Sequence, residues 1–170
     1  IIISELDRLL TPPTRLVSII WGQSEVGTLQ PINTIGQACK DRGIFFHTDA
    51  TQILSQYKFN WNELPVDLLS SSAHKFQGPK GIGLLLSRRA NKNLIEPVQM
   101  GGGQEGGLRS GTPAVSLISG MAQAIKLLNS PLQHVNQDLL TEYQKVSYYT
   151  EQLRKELSKF SFIKFTGHPR

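Results

Sequence analysis

Two side chains in the middle of the sequence, a carboxylate and an amine, have the types needed to hold an organic cofactor. Asp49 and Lys75 each follow an apolar run. A partly unprotonated lysine can form an imine with a carbonyl compound, and desolvation or a neighbouring cation promotes that form. A carboxylate facing a pyridine nitrogen keeps the ring protonated and able to stabilise a carbanion. Spacing alone, however, favours a simpler interpretation, a salt bridge or two solvated loop ends.

Polar residues cluster where three predicted strands end. The clusters comprise residues 23–28, 47–52 and 70–75. In open parallel sheets, ligands bind outside the carboxyl ends of the strands. Because neighbouring parallel strands end at the same edge, the three clusters should converge. The sequence therefore predicts a binding site at this edge.

Two further loops contain groups suited to an anion. Ser72, His74 and the neighbouring backbone amides could bind a phosphate, although residues 74–81 could equally be a turn between strands. The glycine-rich residues 101–112 lead into a predicted helix N-terminus, where Arg109 and Thr112 could hold an anion. A flexible lid is the alternative. The loop lacks the Gly-Lys-Ser/Thr ending of a phosphate-binding P-loop.

Alternating strands and helices must position these residues. Short apolar runs at residues 16–21, 44–49 and 66–72 predict buried strands, and a helix with an apolar face is expected between Pro31 and Gly43. A short helix is predicted at residues 50–55. A fourth strand is expected at residues 81–87; the turn before it is too short for a parallel crossover, so this strand should be antiparallel or splayed. The pattern predicts an α/β fold with a mainly parallel sheet flanked by helices.

The C-terminal half is predicted to be helical. Thr112 is expected to cap a helix that has Pro113 at its first position and ends near Asn129. A second helix is predicted over residues 132–160, followed by a strand at residues 162–165. The chain begins at an isoleucine and stops in a turn-like run, so we expect a fragment at both ends.

Composition narrows the class of protein. The 170 residues are 39% hydrophobic and 18% charged, with a net charge of +5, as in a soluble globular protein. No apolar run approaches the roughly 20 residues that span a bilayer, so no membrane partner is expected. Cationic and aromatic residues do not interleave, which argues against direct nucleic-acid binding. The single cysteine, Cys39, excludes an internal disulfide and fits a reducing compartment, expected to be the cytoplasm.

Five motifs carry a resemblance to a known family. The sequence resembles the fold-type I pyridoxal-phosphate enzymes and, among them, the cysteine desulfurases of aminotransferase class V. The matching motifs occur in the family's order and spacing over nearly the whole chain: EVGTLQPI at 25–32, HTDATQ at 47–52, SAHK at 72–75, GPKGIG at 78–83, and GGGQE through RSGT at 101–112. The resemblance implies the large domain of such an enzyme, incomplete over residues 1–130. Residues 131–170 would form a connecting helix and the start of a small C-terminal domain.

The resemblance also implies roles for individual residues. Lys75 would bond to pyridoxal phosphate and move protons at the substrate α-carbon. Asp49 would pair with the pyridinium nitrogen, and Gln52 would hydrogen-bond the ring hydroxyl. Ser72 and His74 would contact the phosphate.

The resemblance implies roles for two other matched positions, Thr112 and Gln23. Thr112 would contact the phosphate bound in the second subunit of a homodimer. Gln23 would lie near the cofactor, but the family usually has asparagine there, and the longer side chain puts this role in doubt. In the family, the sulfur-accepting cysteine lies on a loop well beyond the position that corresponds to the last residue of this chain. Cys39 does not substitute for it, because it lies on the apolar face of a predicted helix.

The implied reaction converts L-cysteine to L-alanine and leaves persulfide sulfur on the enzyme. The sulfur would pass to a scaffold or carrier protein for iron–sulfur cluster assembly or tRNA thiolation. Without the nucleophilic cysteine, these residues alone are expected to be inactive. Two alternatives remain: a related carbon–sulfur or selenocysteine lyase, and a non-catalytic dimerisation or scaffold module.

Overall fold

A four-stranded sheet forms the centre of the computed structural model, which describes residues 1–88, 95–129 and 142–167. The strands lie in sequence order. They are β1 (Leu16–Ile20), β2 (Phe45–Asp49), β3 (Leu68–Ser72) and β4 (Gly83–Ser87). The first three are parallel, and β4 runs antiparallel to β3. The predicted α/β fold and the antiparallel fourth strand are confirmed. A tight turn between β3 and β4 leaves no room for a parallel crossover.

Four α-helices accompany the sheet within the described residues. They are α1 (Leu6–Leu9), α2 (Ile32–Lys40), α3 (Val115–Asn129) and α4 (Glu142–Leu157). Helix α2 crosses between β1 and β2 and buries Ile32, Ile35 and Cys39, as its apolar spacing predicts. Gly43 follows the helix with a φ of 64°, a backbone conformation that side chains with a Cβ rarely adopt.

The main hydrophobic core lies between one face of the sheet and α2. Alternate residues of β2 and β3 point into it, including Phe46, Thr48 and Leu69, which are at most 1% exposed. Trp21, directly after β1, packs its ring 5.0 Å from that of Phe59. This core holds the first three strands as one body.

A smaller cluster fixes the turn after β3. Ala73 and Phe76 are buried in this turn and pack with Ala124 and Met121 of α3. The turn is the segment that contains Lys75. Helix α3 therefore contacts the turn that carries Lys75 through the buried side chains of Ala73 and Phe76.

Arg88 fastens the chain segment that leads into β3. Its Nε donates to the carbonyl of Val66 at 2.8 Å, and its Nη2 donates to the carbonyls of Trp61, at 3.0 Å, and Leu64. The guanidinium carbon also lies 4.7 Å from the centre of the Trp61 ring, a cation–π distance. One side chain thus satisfies three backbone carbonyls of an irregular segment.

The predicted helix at residues 50–55 is wrong. This segment is a series of turns, with hydrogen bonds from Ile53 N to Ala50 O and from Tyr57 N to Ile53 O. The Asp49 carboxylate accepts a hydrogen bond from Thr51 N at 2.8 Å. This bond has the pattern of a helix N-cap, but the i to i−3 and i to i−4 bonds that follow do not continue into a regular helix.

The predicted start of α3 is also wrong. The helix begins at Val115 rather than Pro113, and its first i to i−4 bond joins Ile118 N to Ala114 O. Val115 N instead donates to Pro113 O at 2.9 Å, so a tight turn precedes the helix. Thr112 therefore lies too far upstream to be its cap.

The C-terminal predictions are partly corrected. Helix α4 ends at Leu157, short of the predicted residue 160, and the predicted start at 132 lies outside the described residues. The strand expected at residues 162–165 is wrong: this segment is irregular, and no described strand pairs with it. The Phe160 and Phe162 rings pack on each other at 5.7 Å after a turn.

None of the described helices is long and apolar enough to cross a bilayer.

Helix α2 lies very close to a neighbouring backbone segment at Gly36. A Cβ added there would lie 2.1 Å from the carbonyl oxygen of Pro65. We expect Gly36→Ala to lower the free energy of unfolding by about 2 kcal/mol, because the helix must move away from this backbone. Denaturant unfolding measures the loss. Thr34→Ala, at an exposed position of the same helix, is the control and should be near neutral; an equal loss in both variants would contradict the explanation.

Candidate active site

The ends of β1, β2 and β3 lie together at one edge of the sheet. Ile20 is in register with Asp49, and Trp21 N donates to Asp49 O at 2.9 Å. On the other side of β2, Ala50 N donates to Ser70 O, also at 2.9 Å. These backbone bonds place the three polar clusters beside one another. The convergence predicted from the sequence follows directly from the parallel pairing.

Asp49 supplies a half-buried carboxylate at this edge. One oxygen, Oδ1, accepts the Thr51 amide, which orients the group. The other oxygen accepts none of the described hydrogen bonds. None of the described ion pairs joins Asp49 to Lys75. The simpler interpretation of these two residues as a salt bridge is therefore not what the described structure contains.

Lys75 lies in a single 3₁₀-helical turn, Ala73–Phe76, that follows β3 directly. Its side chain is exposed, as is that of His74, while the flanking Ala73 and Phe76 are buried. Ser72 Oγ lies 3.0 Å from His74 Nδ1. The turn thus presents an amine, an imidazole and a hydroxyl outward from a firmly anchored backbone.

The return of the chain from this turn is sterically tight. Gln77 adopts a left-handed conformation with a φ of 64°, and Gly78 N donates to Ala73 O at 2.9 Å. A Cβ at Gly78 would lie 2.9 Å from the Ala73 Cβ. The glycine is needed because the backbone closes directly onto the turn. This closure links Gly78 back to Ala73 at the start of the lysine turn.

His47 was part of a predicted polar cluster but had no role of its own. Its Nδ1 lies 2.7 Å from Ser18 Oγ, and its Nε2 lies 3.1 Å from Ser70 Oγ. Burial lowers the pKa of the His47 ring, and the Asp49 carboxylate acts in the opposite direction. The alternation of side chains along β2, which places residues 47 and 49 on one face, could have indicated this position.

The remaining predicted site residues are placed less directly. Gln23 follows β1, and its Oε1 accepts the amides of Glu25 at 2.6 Å and Val26 at 2.7 Å. The side-chain oxygen is therefore used within its own loop. Gln52 is half-buried in the turns after β2. Its contact with a ring hydroxyl remains a prediction.

The glycine-rich loop does not join the strand ends through any described hydrogen bond. Thr112 is exposed, and the Gly111 amide donates to Gln104 Oε1 at 3.1 Å. Arg109 donates to the carbonyl of Ser110 at 2.8 Å, so its guanidinium is turned back onto its own loop. The anion-binding roles of Arg109 and Thr112 remain predictions.

Cys39 has the structural role expected from the sequence. Its side chain is fully buried in α2, against the main core. Burial raises the pKa of the thiol, with the nearby Arg42 guanidinium acting in the opposite direction. Because the thiolate is the reactive form, this cysteine is poorly suited to nucleophilic attack.

The groups at the sheet edge fit pyridoxal phosphate. A pyridine nitrogen needs a fixed carboxylate, and Asp49 has one oxygen bound to the Thr51 amide and the other without a described hydrogen bond. An imine needs an accessible amine, which Lys75 provides. A phosphate needs hydrogen-bond donors, which Ser72, His74 and the turn amides can supply. No metal-binding group of acidic, histidine or cysteine side chains occurs among the described residues.

Comparison with known proteins identifies the family. The description "Aminotransferase class-V" matches residues 1–169. This chain belongs to the aminotransferase class-V family. It is 43% identical over 129 residues to "Probable cysteine desulfurase, mitochondrial" of Dictyostelium discoideum, covering 76% of this chain and 29% of that protein. It is 45% identical over 126 residues to "Cysteine desulfurase, mitochondrial" of Saccharomyces cerevisiae, covering 74% of this chain and 25% of that protein.

A solved structure supports the fold assignment. The structure of "SspA in complex with cysteine" superposes with a TM-score of 0.74 at 33% identity, covering 97% of this chain and 44% of that one. That structure thus shares the fold described above. The chain spans between a quarter and a half of the lengths of these three proteins.

The expectation of a cytoplasmic location is wrong. The Dictyostelium and yeast relatives are named as mitochondrial proteins. The expectation depended on a single unpaired cysteine, which indicates a reducing environment but does not distinguish the cytosol from an organelle.

The hydrogen bonds of Gln23 give a direct prediction about the loop after β1. We expect Gln23→Ala to increase hydrogen exchange at the Glu25 and Val26 amides by about tenfold, because each amide loses its acceptor. Exchange measured residue by residue by NMR tests this. Ser24→Ala, at an exposed position of the same loop, is the control. Unchanged protection in Gln23→Ala would show that the side chain does not hold the loop.

Proposed function

We propose that this chain is the cofactor-binding part of a pyridoxal-phosphate-dependent cysteine desulfurase. The observation that carries the proposal is the placement of Asp49 and the Lys75 turn at the ends of adjacent strands, without an ion pair between them among the described residues. The relatives named cysteine desulfurase support the choice of reaction.

Each residue at the sheet edge would have a distinct task. Asp49 would hold the proton on the pyridine nitrogen, with its orientation set by the Thr51 amide. Ser72 and His74 would bind the phosphate, and Gln52 the ring hydroxyl. When bound, pyridoxal phosphate supplies an electron sink for negative charge at the substrate α-carbon. Lys75 would hold the cofactor and carry protons to and from that carbon.

The proposed substrate is L-cysteine, consistent with the structural relative described in complex with cysteine. A cysteine thiolate of the enzyme would attack the substrate sulfur, and the carbon–sulfur bond would break. The electron pair would remain on carbon, which takes up a proton to give L-alanine, while the sulfur stays on the enzyme as a persulfide. Cys39 is not this nucleophile, because it is buried within α2.

The exposure of Lys75 supports a second protein surface at the site. Imine chemistry is favoured by a desolvated amine, yet this lysine is exposed in the single chain. We propose a homodimer in which the loop ending at Thr112 covers the site of the partner subunit. The sulfur would pass to a scaffold or carrier protein for iron–sulfur cluster assembly or tRNA thiolation. The named relatives support a mitochondrial or related organellar location.

Cofactor binding by Lys75 gives the first test. The purified full chain mixed with pyridoxal phosphate should develop a visible absorbance band that borohydride reduction makes permanent. Lys75→Ala should lack the band and incorporate no reduced cofactor. Lys80→Ala, at an exposed lysine in the same loop, is the control and should retain both. Mass spectrometry of the reduced protein would locate the label, and a label on another lysine in the wild type would contradict the proposal.

A further inference from the structure

A histidine on the open face of the sheet connects all three parallel strands. His47 of β2 lies 2.7 Å, through Nδ1, from Ser18 Oγ of β1 and 3.1 Å, through Nε2, from Ser70 Oγ of β3. We call this row Ser18–His47–Ser70 the serine–histidine bridge. Among the described residues, its two hydrogen bonds connect β1 to β3 through a side chain of β2.

The bridge lies on the same face as the Asp49 carboxylate. Side chains alternate along a strand, so residues 47 and 49 share a face, and Thr48 points into the core on the other. Asp49 is in register with Ser70, which is one end of the bridge. The His47 ring therefore lies two residues before Asp49 on the same face of β2. It is hydrogen-bonded to Ser70, the residue in register with Asp49.

The hydrogen bonds favour a neutral ring. A neutral imidazole donates at one nitrogen and accepts at the other, whereas each serine hydroxyl can do either. Burial lowers the pKa of His47 below its usual value, although Asp49 on the same strand opposes the shift. Ser18 and Ser70, the partners from β1 and β3, carry no charge. A neutral ring leaves the negative field of Asp49 uncompensated toward the sheet edge.

We propose that His47 is a positioning residue whose neutral ring, held between Ser18 and Ser70, fixes the Asp49 carboxylate at the depth where it meets the pyridine nitrogen. This inference rests on the proposed function. His47 would not touch the cofactor itself. It would act by holding β1 and β3 at constant spacing around the strand that ends in Asp49, and by adding no positive charge beside that carboxylate.

The opposite face of β2 offers a matched control. Thr48 Oγ1 donates to Ile19 O at 3.0 Å, a partly buried hydrogen bond that also links β2 to β1. Thr48→Val keeps the shape of the side chain and removes only this bond. The variant should destabilise the sheet without changing the surroundings of Asp49. If His47 only stabilised the sheet, variants at His47 and at Thr48 would have the same effects on stability and on the cofactor band.

The ring can first be examined without cofactor. In the full chain labelled with ¹⁵N-histidine, we expect the His47 nitrogens to report one neutral tautomer at about pH 7. Ser18→Ala should change the Nδ1 shift. A charged ring at about pH 7, or two tautomers in equal exchange, would overturn the proposal before any cofactor is added.

The cofactor then reports the effect on Asp49. We expect His47→Phe to weaken binding of pyridoxal phosphate at least about tenfold and to shift the pH midpoint of its visible band by about one unit. His47→Gln, whose amide can accept from one hydroxyl and donate to the other, should restore most of both values. Ser18→Ala should shift both in the same direction by less. Thr48→Val should lower the melting temperature but leave the band and its midpoint unchanged.

The outcomes separate this inference from the proposed function. A band that depends on Lys75 but is the same in His47→Phe and Thr48→Val would overturn only the positioning role. The absence of any band in the wild type would overturn the proposed function and, with it, the positioning role. If His47→Phe does not fold, the Ser18→Ala and His47→Gln results decide the question, and wild-type behaviour in Ser18→Ala would overturn the role.

Discussion

Parallel pairing of β1, β2 and β3 is the constraint on which the rest of this structure depends. Parallel strands end at the same edge, so three chain segments far apart in sequence must place their next residues side by side. Trp21 N to Asp49 O and Ala50 N to Ser70 O are the backbone bonds that extend this pairing past the strand ends. Without them, the carboxylate and the lysine turn would belong to unrelated loops.

Two hydrophobic clusters hold the segments at this edge of the sheet in place. The main core fixes the strands to α2 through residues on one face, such as Phe46 and Leu69. The smaller cluster fixes the lysine turn to α3 through Phe76. The opposite face of the sheet is left polar at Ser18, His47 and Ser70, where hydrogen bonds replace apolar contacts. Packing thus positions the backbone on one face, and the polar row links β1, β2 and β3 on the other.

Two helix predictions from sequence failed, one entirely and one at the start of the helix. Residues 50–55 were predicted to form a short helix, but the hydrogen bonds after the Asp49–Thr51 contact form separate turns. Thr112 and Pro113 had the types expected of a helix start, but the turn before Val115 moves the start downstream. In both cases local propensity was a weak preference that the folded backbone did not follow.

The sequence by itself determined the succession of strands and helices along the chain, the α/β class, the antiparallel fourth strand and the residue types at each strand end, because periodicity and turn length are local properties. It also carried the motifs by which the family resemblance was stated. Only the tertiary structure decided that Asp49 and Lys75 are not an ion pair among the described residues. It also decided that the side-chain oxygen of Gln23 accepts hydrogen bonds from its own loop and that His47 bridges two serines. These are contacts between side chains or backbone groups whose partners depend on strand register and burial, and neither is defined until the sheet has formed.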